Sequence, residues 1–273
     1  MQLPQSIDPD RENLPSWLHW VDSCPSTNTW SMEHAAQLEH GDVVFTRRQI
    51  SGRGQHGRVW HAPPGVLTAS FVLDRLKATQ LPGLSLAAGL AVIYAVEDLI
   101  PDCQGVLRLK WPNDVLLNQR KLAGILCETA SGHRSDYTRV IVGVGLNRCA
   151  DFAQAGLDSH SVANAVSLHQ VSSLVPDELQ LLERLRHYLI QVAGIFSRTD
   201  IPAEKSGLAA LLPELRCRDA LLNRDIILDL AEETISGQAV GIDACGRLLL
   251  YMMSNNEVRA FASGRVRWDV LSL

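Results

Sequence analysis

The 273-residue chain contains no run approaching the roughly 18 consecutive apolar residues of a spanning helix, which argues against a membrane protein. Its opening residues, MQLPQSIDPDRENLPSW, lack a basic cap followed by an apolar stretch, so no secretory signal is expected. Cysteine pairs are missing too. Cys24, Cys103, Cys127, Cys149, Cys217 and Cys245 lie far apart, with no C-x-x-C and no ligand-like pairing with histidine. Neither a protein-held metal site nor a disulfide framework is expected, and free core cysteines point to a reducing, cytoplasmic compartment. There is no internal repeat and no low-complexity segment. No strong charge of one sign is present either: 25 Lys+Arg against 30 Asp+Glu give a net −5. That balance disfavours a coat on nucleic acid or on an anionic membrane, while leaving room for one local basic site.

What remains is the composition of a globular protein long enough to bury a core without staples. Residues 1–17 read as a loose polar arm. A helix is expected at 31–39 after Ser/Thr/Asn cap candidates, a buried helix at 84–100 ending before Pro101, an amphipathic helix at 177–196 and another at 207–216. Strands are expected at 42–46, 66–73, 106–111, 114–118, 121–128 and 138–146. The later four are too closely spaced for helical crossovers and should pair antiparallel. After about residue 221 come short strands at 225–230, 235–242, 247–252 and 257–262, with turn residues at Gly237, Gly246 and Asn255–Asn256. The fold class expected is therefore α+β, with residues 1–220 as a main domain and 221–273 as a small β-barrel.

Residues 52–60 read GRGQHGRVW and contain a literal G-x-G-x-x-G. A dinucleotide fingerprint needs a helix to start within the motif, and Pro63-Pro64-Gly65 arrive too early for one. A Walker A loop needs lysine and a hydroxyl where Arg58 and Val59 stand. A flexible surface loop would gain little from three glycines and two closely spaced arginines. Anion binding uses both, because glycine lets the backbone approach closely and arginine supplies forked donors.

Lys110-Trp111-Pro112-Asn113-Asp114 sit at a strand–turn–strand junction. Lys110 ends an apolar strand beside a tryptophan, and a partly buried lysine needs an anion, either Asp114 or a ligand. Lys121 opens the next strand before small residues. Gly143-Val144-Gly145-Leu146-Asn147 ends a strand whose glycines mark a bulge or a close approach by another group.

Together these segments resemble the biotin protein ligases. The match runs from about residue 17 to the C-terminus through Ser26-Thr27-Asn28, Gln49, GRGQHGRVW, KWPND (110–114), RKLAGILCE (120–128), GVGLN (143–147) and GIDACGRLLL (241–250), all in family order. The resemblance implies a biotin/lipoate ligase-like catalytic domain with a mixed, mostly antiparallel sheet and flanking helices. A small SH3-like β-barrel would follow. It implies an enzyme that makes biotinyl-5′-AMP from biotin and ATP with Mg²⁺, then passes biotin to a lysine of a biotin carboxyl carrier protein of acetyl-CoA carboxylase. Ser26, Thr27, Asn28 and Gln49 would hold the ureido ring. Arg53, Gly54, Gln55 and Lys121 would meet the biotin carboxyl end. Lys110 and Arg58 would engage phosphates, with Trp60, Asn113 and Asn147 at the nucleotide. Asp114 would orient the incoming lysine, accept its proton, or pair with Lys110. Lys121, Arg53, Lys110 and Asp114 are thus the expected catalytic set. Many members carry a third basic residue where Gln55 stands, and some carry an N-terminal DNA-binding domain for which this chain leaves no length, so no DNA partner is expected. Relatives occur as monomers and as homodimers. The alternatives are a lipoate or octanoate ligase, which has no ureido ring to bind, and a non-catalytic biotin-binding module.

Overall fold

The computed structural model describes residues 14–130, 137–198 and 207–268. Residues 1–13 of the expected arm lie outside them. Seven strands form the larger sheet: β1 (Leu18–Trp20), β2 (Val43–Thr46), β3 (Val66–Lys77), β4 (Leu107–Lys110), β5 (Asp114–Leu117), β6 (Arg120–Ala130) and β7 (Tyr137–Asn147), in the order β1-β2-β3-β7-β6-β5-β4. Only β1–β2 is parallel; the other pairs are antiparallel. The expected mixed, mostly antiparallel sheet is therefore present.

Side-chain alternation on these strands creates two faces. On β3, Leu67, Ala69, Phe71 and Leu73 enter the main core. That core is shared with α2 (Leu84–Leu99) and α4 (Glu178–Ser197). The Ala/Leu-rich α2 is buried around most of its circumference, and Asp177 and Gln180 close a capping box at the start of α4. The alternate residues Thr68, Ser70 and Val72 face the other way, toward α1 (Thr27–Glu33).

The helix expected at 31–39 is displaced: α1 begins four residues earlier, and only a 3-10 turn covers Ala35–Gln37. Ser26 alone is the N-cap, while Thr27 and Asn28 belong to the first turn. The helix expected at 207–216 is a 3-10 turn followed by α5 (Leu212–Arg218). A short α3 (Ser159–Asn164), capped by Asp158, was not expected.

The C-terminal segment forms a separate five-stranded antiparallel sheet. Its strands are β8 (Asp225–Asp229), β9 (Thr234–Ile242), β10 (Leu248–Met252), β11 (Glu257–Phe261) and β12 (Arg265–Arg267), in the order β11-β10-β9-β8-β12. Among the described residues β11 and β12 stand at its two ends. Gly237 is not a turn residue; it lies inside β9, where a Cβ would come within 2.8 Å of the Tyr251 carbonyl oxygen. The β9–β10 turn packs on the main sheet's domain: Trp111 Nε1 donates to the Gly246 carbonyl at 2.9 Å. No helix among the described residues is long and apolar enough to cross a membrane.

Candidate active site

A cavity of about 1020 Å³ opens on the α1-facing side of the large sheet, and the C-terminal sheet forms part of its wall. Of the residues singled out in the sequence, all but Asn147 line it.

At one end, Ser26, Thr27 and Asn28 sit at the start of α1, each buried. Thr27 N donates to Gln49 Oε1 at 3.0 Å. Ser70, fully buried on β3, lies 2.6 Å from Asn28 Oδ1 and 2.7 Å from Thr27 Oγ1. Asn28 Nδ2 donates to the Leu126 carbonyl at 3.1 Å and to Glu128 at 2.8 Å. Both amide hydrogens are thus committed, which leaves Asn28 with acceptor capacity at Oδ1. A Cβ at Gly143 would fall 2.5 Å from that oxygen, so β7 must be bare there.

The glycine loop is a closed hairpin rather than an open strand connection. Gly54 N donates to Arg58 O at 2.7 Å and Trp60 N donates to Gly52 O at 2.9 Å. Its tip turns through left-handed His56 (φ 56°) and Gly57 (φ 71°). No α-helix follows, which removes the dinucleotide reading. The hairpin holds Arg53 and Arg58 exposed over the cavity and lays Trp60 on the sheet. The Trp60 indole covers Gly124 and Gly145, with the Lys121 ammonium 5.3 Å from its ring.

The four cations expected in the site, Arg53, Arg58, Lys110 and Lys121, therefore share one cavity, which Arg265 and Arg267 of β12 also line. Two are held by carboxylates. Lys121 Nζ lies 2.6 Å from Asp114 Oδ1, and Arg53 Nη2 lies 2.8 Å from Glu128 Oε2. The pairing of Asp114 with Lys110 is not observed. The two are cross-strand partners at the β4–β5 turn, but the carboxylate reaches across to β6 instead. Lys110 rests on the Trp268 ring at 4.7 Å and has no ion pair among the described residues. Burial pushes its ammonium below the usual lysine range, only partly opposed by Asp114, and Lys121, Arg265 and Arg58 push the same way as burial. A half-buried cation without a counterion is a ready anion site.

Asn147 departs from expectation. It is buried at the end of β7, and its amide donates to the carbonyls of Lys121 (3.0 Å) and Val166 (3.1 Å). It ties the segment after α3 to the base of Lys121 rather than facing the cavity. Asn113 lines the cavity, yet its Nδ2 also donates to backbone, the Ile125 carbonyl at 2.6 Å.

Sequence reasoning missed four residues. Ser70 and Glu128 were legible from strand alternation alone, since they share a face with Thr68 and with Gly124 and Leu126. Arg265 and Trp268 come from the C-terminal sheet and its exit, and no local pattern places them beside Lys110. Among the described residues there is no cluster of three or more His, Cys, Asp or Glu suited to a metal ion.

The family model described as the biotin/lipoate A/B protein ligase family matches residues 20–147. The chain is 33% identical over 229 residues to a biotin--[acetyl-CoA-carboxylase] ligase of Paracoccus denitrificans, covering 82% of this chain and 90% of that protein. It is 31% identical over 228 residues to the bifunctional ligase/repressor BirA of Escherichia coli, covering 82% of this chain and 66% of that longer protein. Among solved structures, the biotin protein ligase from Aquifex aeolicus in complex with biotin and ATP superposes with a TM-score of 0.72 at 26% identity. That superposition covers 92% of this chain and 97% of the other.

Proposed function

Because the chain belongs to the biotin/lipoate A/B protein ligase family, we propose that it is an ATP-dependent biotin protein ligase acting on a biotin carboxyl carrier protein of acetyl-CoA carboxylase. The observation that carries this reading is the joining of two unlike ends in one cavity: a neutral, buried hydrogen-bonding cradle at α1 and four converging cations.

The cradle suits a ureido ring. Ser26, Thr27, Asn28 and Gln49 offer hydroxyls and amides to a group that has two N–H donors and one carbonyl acceptor. A lipoyl tail has no such group, and a mere binding module has no use for the cations beyond it.

In the first step a biotin carboxylate oxygen attacks the α-phosphorus of ATP and pyrophosphate leaves. Two anions must approach, and fixed positive groups offset both their repulsion and the charge that develops. Lys121 and Arg53 meet the carboxylate, and Lys110 and Arg58 meet phosphate oxygens. Gly54 and Gln55 close the loop over the junction. Asp114 positions Lys121 through their ion pair. Trp60 gives the nucleotide a flat apolar platform, with Asn113 at its edge. Mg²⁺ would travel with ATP, held by phosphate oxygens and supplying further charge neutralisation. The six unpaired cysteines fit a cytoplasmic enzyme.

The test is direct. Incubation with biotin, ATP and a purified carrier domain should add one biotinyl group to a single carrier lysine, read by mass spectrometry. An unmodified carrier, or modification by lipoate instead, overturns the reading.

A further inference from the structure

Glu128 is a carboxylate that the adenylation step does not use. It stands on β6, on the site face, with its side chain 26% exposed. Its Oε2 accepts from Arg53 Nη2 and from Asn28 Nδ2, both at 2.8 Å. It also lines a second cavity of about 590 Å³, which runs beneath the glycine loop toward Ser85, Cys245 and Ser263. Among the described residues lining that second cavity, Glu128 is the one carboxylate, and Arg53 borders both cavities.

Resting on the ligase reading, we propose that Glu128 exchanges cations between the two half-reactions. It holds Arg53 in the free protein, then holds the ε-ammonium of the carrier lysine once Arg53 has turned to the adenylate. The physical reasons are these. An adenylate brings a phosphate anion within reach of Arg53, and a guanidinium prefers a forked phosphate contact to a single carboxylate bond. Glu128 then loses its counterion while three quarters shielded from water, an unfavourable state. A lysine ammonium restores the pair. Glu128 stands next to the main cavity, in the second one that Arg53 shares, and the carboxylates lining the main cavity itself are Asp114, already engaged by Lys121, and Asp225, at the start of β8 on the C-terminal sheet. Docking of the carrier lysine would thereby depend on adenylate formation.

Glu128 does not act as a base in the transfer step. The docked ammonium loses a proton to water. The nitrogen lone pair attacks the acyl carbon, the C–N bond forms, and the acyl C–O bond to phosphate breaks. AMP leaves with that electron pair, and the second nitrogen proton passes to solvent.

Glu128→Gln tests this in the 273-residue protein, since glutamine keeps one oxygen acceptor for Asn28 while an NH2 replaces the other oxygen and the charge is lost. Three rates are compared with the unaltered protein: biotin-dependent ATP–pyrophosphate exchange, capture of preformed adenylate by neutral hydroxylamine, and single-turnover transfer to the carrier domain. Loss of one charge-assisted contact predicts that carrier transfer falls about tenfold further than the other two. A parallel fall in all three, or no selective loss of carrier transfer, overturns the proposal. Absence of exchange in the unaltered protein would instead overturn the ligase reading itself.

Discussion

Gly145 lies directly beneath Trp60: a Cβ on that glycine would stand 2.3 Å from the indole Cε2 and Cζ2. Indole and strand can touch only because β7 is bare at this point. Gly145→Ala should push the ring off its platform while leaving the β3–β7–β6 pairing intact. The expected outcome is about a tenfold or greater fall in kcat/KM for ATP with a Tm shift of only a few degrees, since relieving such overpacking costs about 1–3 kcal/mol. Steady-state kinetics and a thermal melt check it; unchanged kinetics would mean the platform has no role.

Gln55 stands at the loop position where the resemblance to the biotin protein ligases implies a basic residue in many members. One positive charge fewer over the adenylate should loosen its retention. Gln55→Arg is therefore expected to reduce labelling of a bystander protein relative to the unaltered chain, measured by avidin blot at equal carrier biotinylation. Equal bystander labelling would contradict this.

Asp219, just after α5, has a carboxyl pushed up to about 6, chiefly by burial, with its Oδ2 lacking any partner. The unfolded chain releases this proton near pH 4, about two units earlier than the folded one. Between those values the folded state binds more protons, so this group's contribution to stability is complete below pH 4 and is lost as pH rises to about 6. Urea melts of Asp219→Asn should lack that component and show a flatter stability profile over the same interval. A profile identical to the unaltered protein's would contradict it.

Glu97 on the buried helix α2 accepts from Arg218 on α5 at 2.6 and 2.9 Å, with side chains only 8% and 14% exposed. Glu97→Ala leaves the arginine without its main partner and should cost about 3 kcal/mol. Double substitution with Arg218→Met should recover part of that loss in urea titration.

Much of this site was legible in the sequence because its parts are short and contiguous. The GRGQHGRVW hairpin and KWPND turn each keep their chemistry within a few residues, and they meet because β3, which follows the hairpin, pairs with β7 at one end of the β4–β7 meander. The helix at α1 was misplaced for a physical reason: Ser, Thr and Asn are all good cap residues, but only Ser26 takes the N-cap position, without a side-chain capping bond, while Asn28 is spent on Leu126, Ser70 and Glu128. β1 and β12, three residues each, are too short to show alternation. Gly237 reads as a turn, yet its role is close contact within a sheet. The meeting of Lys110 with Trp268 depends on how two sheets pack, which no local pattern encodes.

In this enzyme a ureido cradle and a set of cations act on one molecule, a carboxylic acid to be adenylated. Biotin-dependent exchange of labelled pyrophosphate into ATP measures that step alone. Exchange should require biotin, fail with lipoate, and drop at least about a hundredfold in Lys121→Met, as expected when an electrostatic contact to the reacting group is removed. Exchange driven by lipoate, or undiminished in Lys121→Met, would contradict it.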